Sequence, residues 1–239
     1  MHFHQKVLAT LALTFLCGTS CVADSALRYE NIATKLQSLY MIDQQIKLEP
    51  KDALLYVQRA AINQYRKKYP DAIADYTKAI QMKYTSEDDE TDRGQVVLSM
   101  RAICYMQMKN LDAAIADLTR AIAIAPSDAS LWSNKGAVYM ETKQFDLAMK
   151  AYAKALQIDP KQPEAYEGIG EVCYKTGQHA RAIEYLNRAA TVDTKFGDAF
   201  YYRGAAYKAL GKKVEADKDF QKANSLNFKP GQPSLYTQK

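Results

Sequence analysis

The residues best placed to do chemistry in this chain are acids and phenols in its C-terminal half. Glu164, Glu167 and Glu171 follow steps of three and four residues, so on a helix they share one face. Tyr174 follows on the same helical stretch, and Asp198, Tyr201 and Tyr202 supply a further acid and two more phenols in the next one. Like charges at that spacing repel one another unless a cation relieves them. Tyrosines projecting from a rigid scaffold make good interface anchors. Together these residues point to recognition of a lysine or arginine side chain. The plainer alternative is a solubilising face, with Glu171 and Lys175 as a helix-stabilising pair.

Other chemistry is absent from the sequence. His2 and His4 sit in the first few residues, and the rest of the chain holds one histidine, His179, expected in a turn, exposed and idle. There is no HExxH, no paired CxxC, no GxSxG and no phosphate-binding glycine loop. Gly168-Ile169-Gly170 is part of a dinucleotide fingerprint, but it falls inside a helical pattern with no preceding strand. The sequence therefore predicts no catalytic residue, no metal site, no cofactor and no enzyme.

The elements that must position the acids are helical hairpins. The stretch Ala129 to Gln162 reads as two amphipathic helices, Ser130–Glu141 and Phe145–Gln157, closed by Asp159-Pro160. Shifting by 34 residues carries Trp132 onto Tyr166 and Phe200, and Gly136 onto Gly170 and Gly204. Ala148 falls on Ala182 and Ala216, and Ala155 on Ala189 and Ala223. Leu98, Ala102, Tyr105, Ala114, Leu118, Ala121 and Pro126 keep the register upstream, as do Tyr56, Ala60, Ala72, Tyr76 and Ala79. This pattern resembles the tetratricopeptide repeat (TPR) family.

The resemblance implies an all-α fold, a right-handed α-α superhelix of about five hairpins. The repeats are expected at 53–86, 95–128, 129–162, 163–196 and 197–230, with an acidic insertion at 87–94. Residues 24–52 read as a helical cap or a degenerate repeat, since Tyr29 and Pro50 keep register while Ser38 and Gln45 replace small alanines. Residues 231–239 form a polar tail. There are departures: Asn63 and Cys173 stand where the family prefers tyrosine, and Leu186 where an aromatic is usual.

The resemblance also implies a concave groove, lined by the first helices, that receives a peptide or helix of a protein partner. Carried over by position, its lining residues are Ser99, Ile103, Met106, Asn134, Met140, Glu164, Glu167, Glu171, Tyr174, Asp198, Tyr201 and Tyr202. TPR domains that grip a C-terminal carboxylate use Lys, Asn and Arg there, and only Asn134 matches. The groove instead offers an apolar end and an acidic end, which fits an apolar segment carrying Lys or Arg.

Composition and the N-terminus set the context. The chain has 239 residues, a formal charge of +5 and 17 tyrosines. The basic excess reads as spread along the chain with no basic stripe, which disfavours nucleic acid. Met1–Lys6 is a short basic start and Val7–Leu16 an apolar run too short to span a membrane, the layout of a signal peptide at 1–23. Lipid attachment through Cys17 or Cys21 is less favoured, because Thr14 and Gly18 stand where a leucine is preferred. Cys104 and Cys173 are expected to be buried, inert thiols, too far apart in the stack to pair. These readings describe an exported, periplasmic or secreted scaffold serving a cell-envelope complex. A secreted effector binding a host protein, or a regulatory subunit of an envelope hydrolase, would leave the same signature. The sequence does not specify the oligomeric state.

Overall fold

The computed structural model describes residues 39–82 and 93–228. Every regular element among them is a helix, and none is long and apolar enough to cross a membrane. Residues 39–48 form α1. Five hairpins follow: α2 (Ala53–Tyr65) with α3 (Tyr69–Gln81), α4 (Arg93–Gln107) with α5 (Leu111–Ile124), and α6 (Ala129–Glu141) with α7 (Phe145–Ile158). The last two are α8 (Pro163–Lys175) with α9 (His179–Val192), and α10 (Gly197–Ala209) with α11 (Lys213–Ser225). The stretch 1–23 read as a signal peptide, residues 24–38 of the cap, the body of the acidic insertion and the tail 231–239 lie outside the described residues. Arg93 and Gly94, assigned to that insertion from the sequence, instead open α4.

The hairpins share one turn device. Lys67, Lys109, Lys143, Gly177 and Gly211 occupy equivalent places and all have φ between 57° and 78°. The next amide then donates back to a carbonyl five residues earlier, as from Lys68 to Asn63, Gln144 to Tyr139 and Gln178 to Cys173, each at 2.8 Å. This bond satisfies a carbonyl left open at the helix C-terminus. Entry into the first helices uses side-chain caps: Asp52 accepts from the Leu54 amide and Asp128 from the Ser130 amide, both at 2.9 Å. Pro163 opens α8 where its missing amide does no harm.

A large side chain from each second helix locks the stack. Tyr76, Leu118, Tyr152 and Leu186 hold equivalent positions and are fully buried. Ile42 of α1 falls in the same register and is also buried. The Tyr152 ring lies between Gly136 of its own hairpin and Gly168 of the next. A Cβ on Gly136 would stand 2.7 Å from the ring, and one on Gly168 only 2.2 Å. Leu186 fills the same slot over Gly170, where a Cβ would meet it at 2.5 Å. Among the described residues, the first helices of the fourth and fifth, third and fourth, and first and second hairpins touch directly, and the second helices have no comparable mutual contacts. The first helices therefore form the inner layer.

Ion pairs repeat with the fold. Arg59, Arg101 and Arg203 each make a two-pronged bond to Asp75, Asp117 and Asp219, with distances of 2.6–2.8 Å. The remaining guanidinium nitrogen reaches back, at 2.8 Å, to Asp43 on α1, Thr77 on α3 and Asn187 on α9 respectively. Lys135 makes half of this clamp, donating to Thr119 Oγ1 at 2.9 Å. Each clamp ties the two helices of one hairpin to the second helix before it. Through Asp43, α1 holds the place that a second helix holds elsewhere.

Two outcomes follow from this packing. Gly168→Ala should lower stability by about 1–3 kcal/mol in urea unfolding despite alanine's better helix propensity, because the rigid Tyr152 ring cannot yield. Combining it with Tyr152→Leu should recover part of that loss, and simple additivity of the two would contradict the wedge. The second outcome concerns pH. Burial pushes the Cys104 thiol up to about 12 from 9.0. The unfolded chain thus loses this proton first, so stabilisation tied to the neutral thiol is complete below pH 9 and is lost between pH 9 and about 12. Unfolding free energy measured from pH 8 to 10.5 should fall less steeply in Cys104→Ala than in the parent.

Candidate functional site

The acids and tyrosines singled out in the sequence meet where α8 and α10 lie side by side on the inner layer. Tyr174 packs against Tyr202 with ring centroids 6.3 Å apart, and Tyr201 meets Tyr202 edge-on at 5.4 Å. Phe220 and Phe228 extend the cluster behind Tyr201, at 5.7 and 4.8 Å. His179 is half-buried against Tyr174 at 5.5 Å, a correction to its expected exposure. It opens α9 just after the turn, and helix packing presses its ring onto the end of α8.

Carboxylates set the electrostatics of the cluster. The Tyr202 hydroxyl donates to Glu171, and its pKa is pushed far above the usual tyrosine value. Burial is the main cause, followed by the charge and hydrogen bond of Glu171, then the charges of Glu167 and Asp198. Tyr152 below is raised as well, by burial and then by Glu167 and Glu171. Both phenols therefore remain neutral donors wherever the fold persists. Glu171 also pairs with Lys175 at 3.0 Å, the helix pair anticipated as the plainer reading. The site is a partly open, acidic, aromatic-walled surface, suited chemically to an ammonium or guanidinium carried on an apolar stem. Among the described residues no group of His, Cys, Asp or Glu could hold a metal ion.

The structure narrows the groove drawn from the sequence. Glu164, Glu171, Tyr174, Asp198, Tyr201, Tyr202 and Ser99 stay partly accessible. Ile103, Met106, Asn134, Met140 and Glu167 are buried, the last two because adjacent inner helices approach too closely to leave them open. In this arrangement these five have little surface to offer a partner. The Asn134 amide faces Ser99 Oγ at 3.5 Å. Cys104 and Cys173 are free and buried.

Two features escaped the sequence reading. The arginine clamps had a signal, an Arg followed sixteen residues later by Asp in three repeats. The basic residues are spread along the chain as expected, but a subset collects at the hairpin turns, where Arg66, Lys67, Lys68, Lys109, Lys143, Arg181, Lys212 and Lys213 are all exposed.

Comparison with known proteins agrees with this architecture. Family models described as "Tetratricopeptide repeat" match residues 96–128, 163–196 and 198–225, and one described as "TPR repeat" matches 136–177. No curated protein matches the sequence. A tetratricopeptide repeat protein from Parabacteroides merdae superimposes with a TM-score of 0.69 at 16% identity, covering 87% of this chain and 78% of its own. BtubC from P. vanneervenii gives 0.64 at 18% identity, covering 88% of this chain and 98% of its own. YrrB, described as a TPR protein with an unusual peptide-binding site, gives 0.54 at 19% identity, covering 77% of this chain and 91% of its own. At these identities the structures attest the fold alone. The family matches, which together span just over half of the sequence, are specific to the repeat, and the chain belongs to the tetratricopeptide repeat family.

Proposed function

We propose that this chain is an exported, non-enzymatic TPR scaffold that captures a protein segment through the inner face of its last two hairpins. The segment is apolar and carries a lysine or arginine, and its capture serves assembly or regulation of a cell-envelope complex. TPR proteins bind protein or peptide partners, which supports the scaffold role. One observation carries the choice of ligand: the carboxylates of Glu171 and Asp198 act on Tyr202, which packs against the partly accessible rings of Tyr174 and Tyr201. A cation seated there relieves like-charge repulsion and lays its stem on aromatic surface. The signal-like layout of residues 1–23 supports export.

The ligand choice is tested with two labelled apolar peptides that differ only in lysine against norleucine, titrated with the mature chain. The lysine peptide should bind roughly tenfold tighter, the worth of one charge-assisted hydrogen bond to a carboxylate. Glu171→Gln, which keeps the side-chain shape, should remove most of that difference. Equal affinity for the two peptides in the parent protein would dismiss the acidic–aromatic site.

Export is tested by N-terminal sequencing of the protein recovered from fractionated cells. The expected product starts at Asp24 and lies outside the cytoplasm. Recovery of the intact Met1 start from the cytosol, or an acylated Cys17 or Cys21, would overturn soluble export.

A further inference from the structure

We propose that the turn edge of the stack is a docking surface for an anionic lipid bilayer. The first observation is conformational. The same turn position holds glycine in the last two hairpins, Gly177 and Gly211, but lysine in the first three. Lys67, Lys109 and Lys143 sit there at φ of 57° to 59°, where a β-carbon opposes the backbone and glycine does not. Lysine at these places gives up local stability, and what it adds is a charge pointing outward. In the glycine-bearing turns, Arg181, Lys212 and Lys213 stand just beyond the glycine, so the row of charge continues.

The turns are neighbours in space. The Tyr69 hydroxyl, beside the first turn, contacts Gln107 Oε1 at 3.4 Å beside the second, and Lys109 pairs with Glu141 beside the third. Among the described residues, Arg66, Lys67, Lys68, Lys143, Lys212 and Lys213 enter no ion pair. Their charge is available to an external partner. The opposite edge, where one hairpin leads into the next, sets Asp52, Asp128, Asp159, Glu164, Asp193 and Asp198 against Lys51, Lys161 and Lys195, whereas at the turn edge the bases outnumber Asp71, Asp112, Glu141, Asp146 and Glu215. The molecule therefore has a polarity that would turn the lysine edge toward a negative surface.

Exposed apolar side chains favour a bilayer over a nucleic acid. Tyr65 is 69% exposed and Met108 49%, both beside lysine-bearing turns, and Leu210 45% and Val214 80%, beside the last turn with its Lys212 and Lys213. A phosphate backbone has no use for them. Interleaved with lysines along one edge, they match the interfacial layer of a membrane, where apolar tips enter among headgroups and lysines pair with acidic lipids.

The test is co-sedimentation of the mature chain with vesicles, either of phosphatidylcholine alone or of equal parts phosphatidylserine and phosphatidylcholine. The chain should bind the anionic vesicles, more weakly as salt rises, and leave the neutral ones in solution. The variant Lys67→Gly/Lys109→Gly/Lys143→Gly relaxes the turns, so its melting temperature should hold or rise while vesicle affinity drops roughly twenty-five-fold or more, about fivefold for each of the two lysines that enter no ion pair. Val214→Ser should weaken vesicle binding without altering the melting temperature. Peptide binding at the inner face should persist in the triple variant, which separates failure of this proposal from failure of the groove. Equal binding to neutral and anionic vesicles, an unchanged affinity in the triple variant, or duplex DNA competing the chain off anionic vesicles would overturn it.

Discussion

The structure depends on how closely one hairpin can approach the next, and a single contact sets that distance. The Tyr152 ring is held between Gly136 and Gly168, the first on its own hairpin and the second on its neighbour. Neither glycine is needed for backbone freedom, since both lie inside helices; each is there because a β-carbon would occupy space the ring already fills. Leu186 over Gly170 repeats the arrangement with a smaller side chain. At the Tyr152 junction the inner helices come near enough that Met140 and Glu167 lose solvent. The spacing that makes the scaffold rigid also decides how much of its inner face is left for a partner.

This explains what could and could not be read from the sequence. The hairpins were legible because their period is carried by small residues, Gly136, Ala148, Ala155 and their equivalents, whose places cannot be exchanged without a clash. The site was legible in part. Spacing put Glu164, Glu167 and Glu171 on one face, but spacing cannot give the distance to the next helix, and at Glu167 that distance removes the carboxylate from solvent. His179 was misjudged for the same reason: a turn residue is exposed unless a neighbouring ring, here Tyr174, lies over it. The even spread of lysines along the chain concealed the common place of three of them, Lys67, Lys109 and Lys143, because charges one repeat apart in sequence become neighbours only after stacking.

Electrostatics in this fold do two separate tasks. The arginine clamps lie between helices, as with Arg101 and Asp117, both buried, and hold second helices in line where apolar contact between them is sparse. Pairs of this kind contribute order and register more surely than net stability. Where the clamp lapses, in the third and fourth hairpins, Ala151 and Tyr185 replace the aspartate and packing through Tyr152 and Leu186 carries the junctions. Surface charge does the other: exposed lysines and arginines crowd several hairpin turns, while carboxylates and rings meet on the inner face at the last junction.

The aromatic cluster at the last junction has an energetic consequence. Tyr174 belongs to the fourth hairpin, while Tyr201, Tyr202 and Phe220 belong to the fifth. A stack that is held only by neighbour contacts opens from its ends, and the fifth hairpin is the last one described. Any ligand that bridges these rings binds only while that hairpin is docked, so occupancy and end-fraying draw on one equilibrium. Ligand affinity at this junction thus includes the free energy of closing the hairpin, and a substitution in α11 far from the ligand can tune affinity by changing how often the end lies shut.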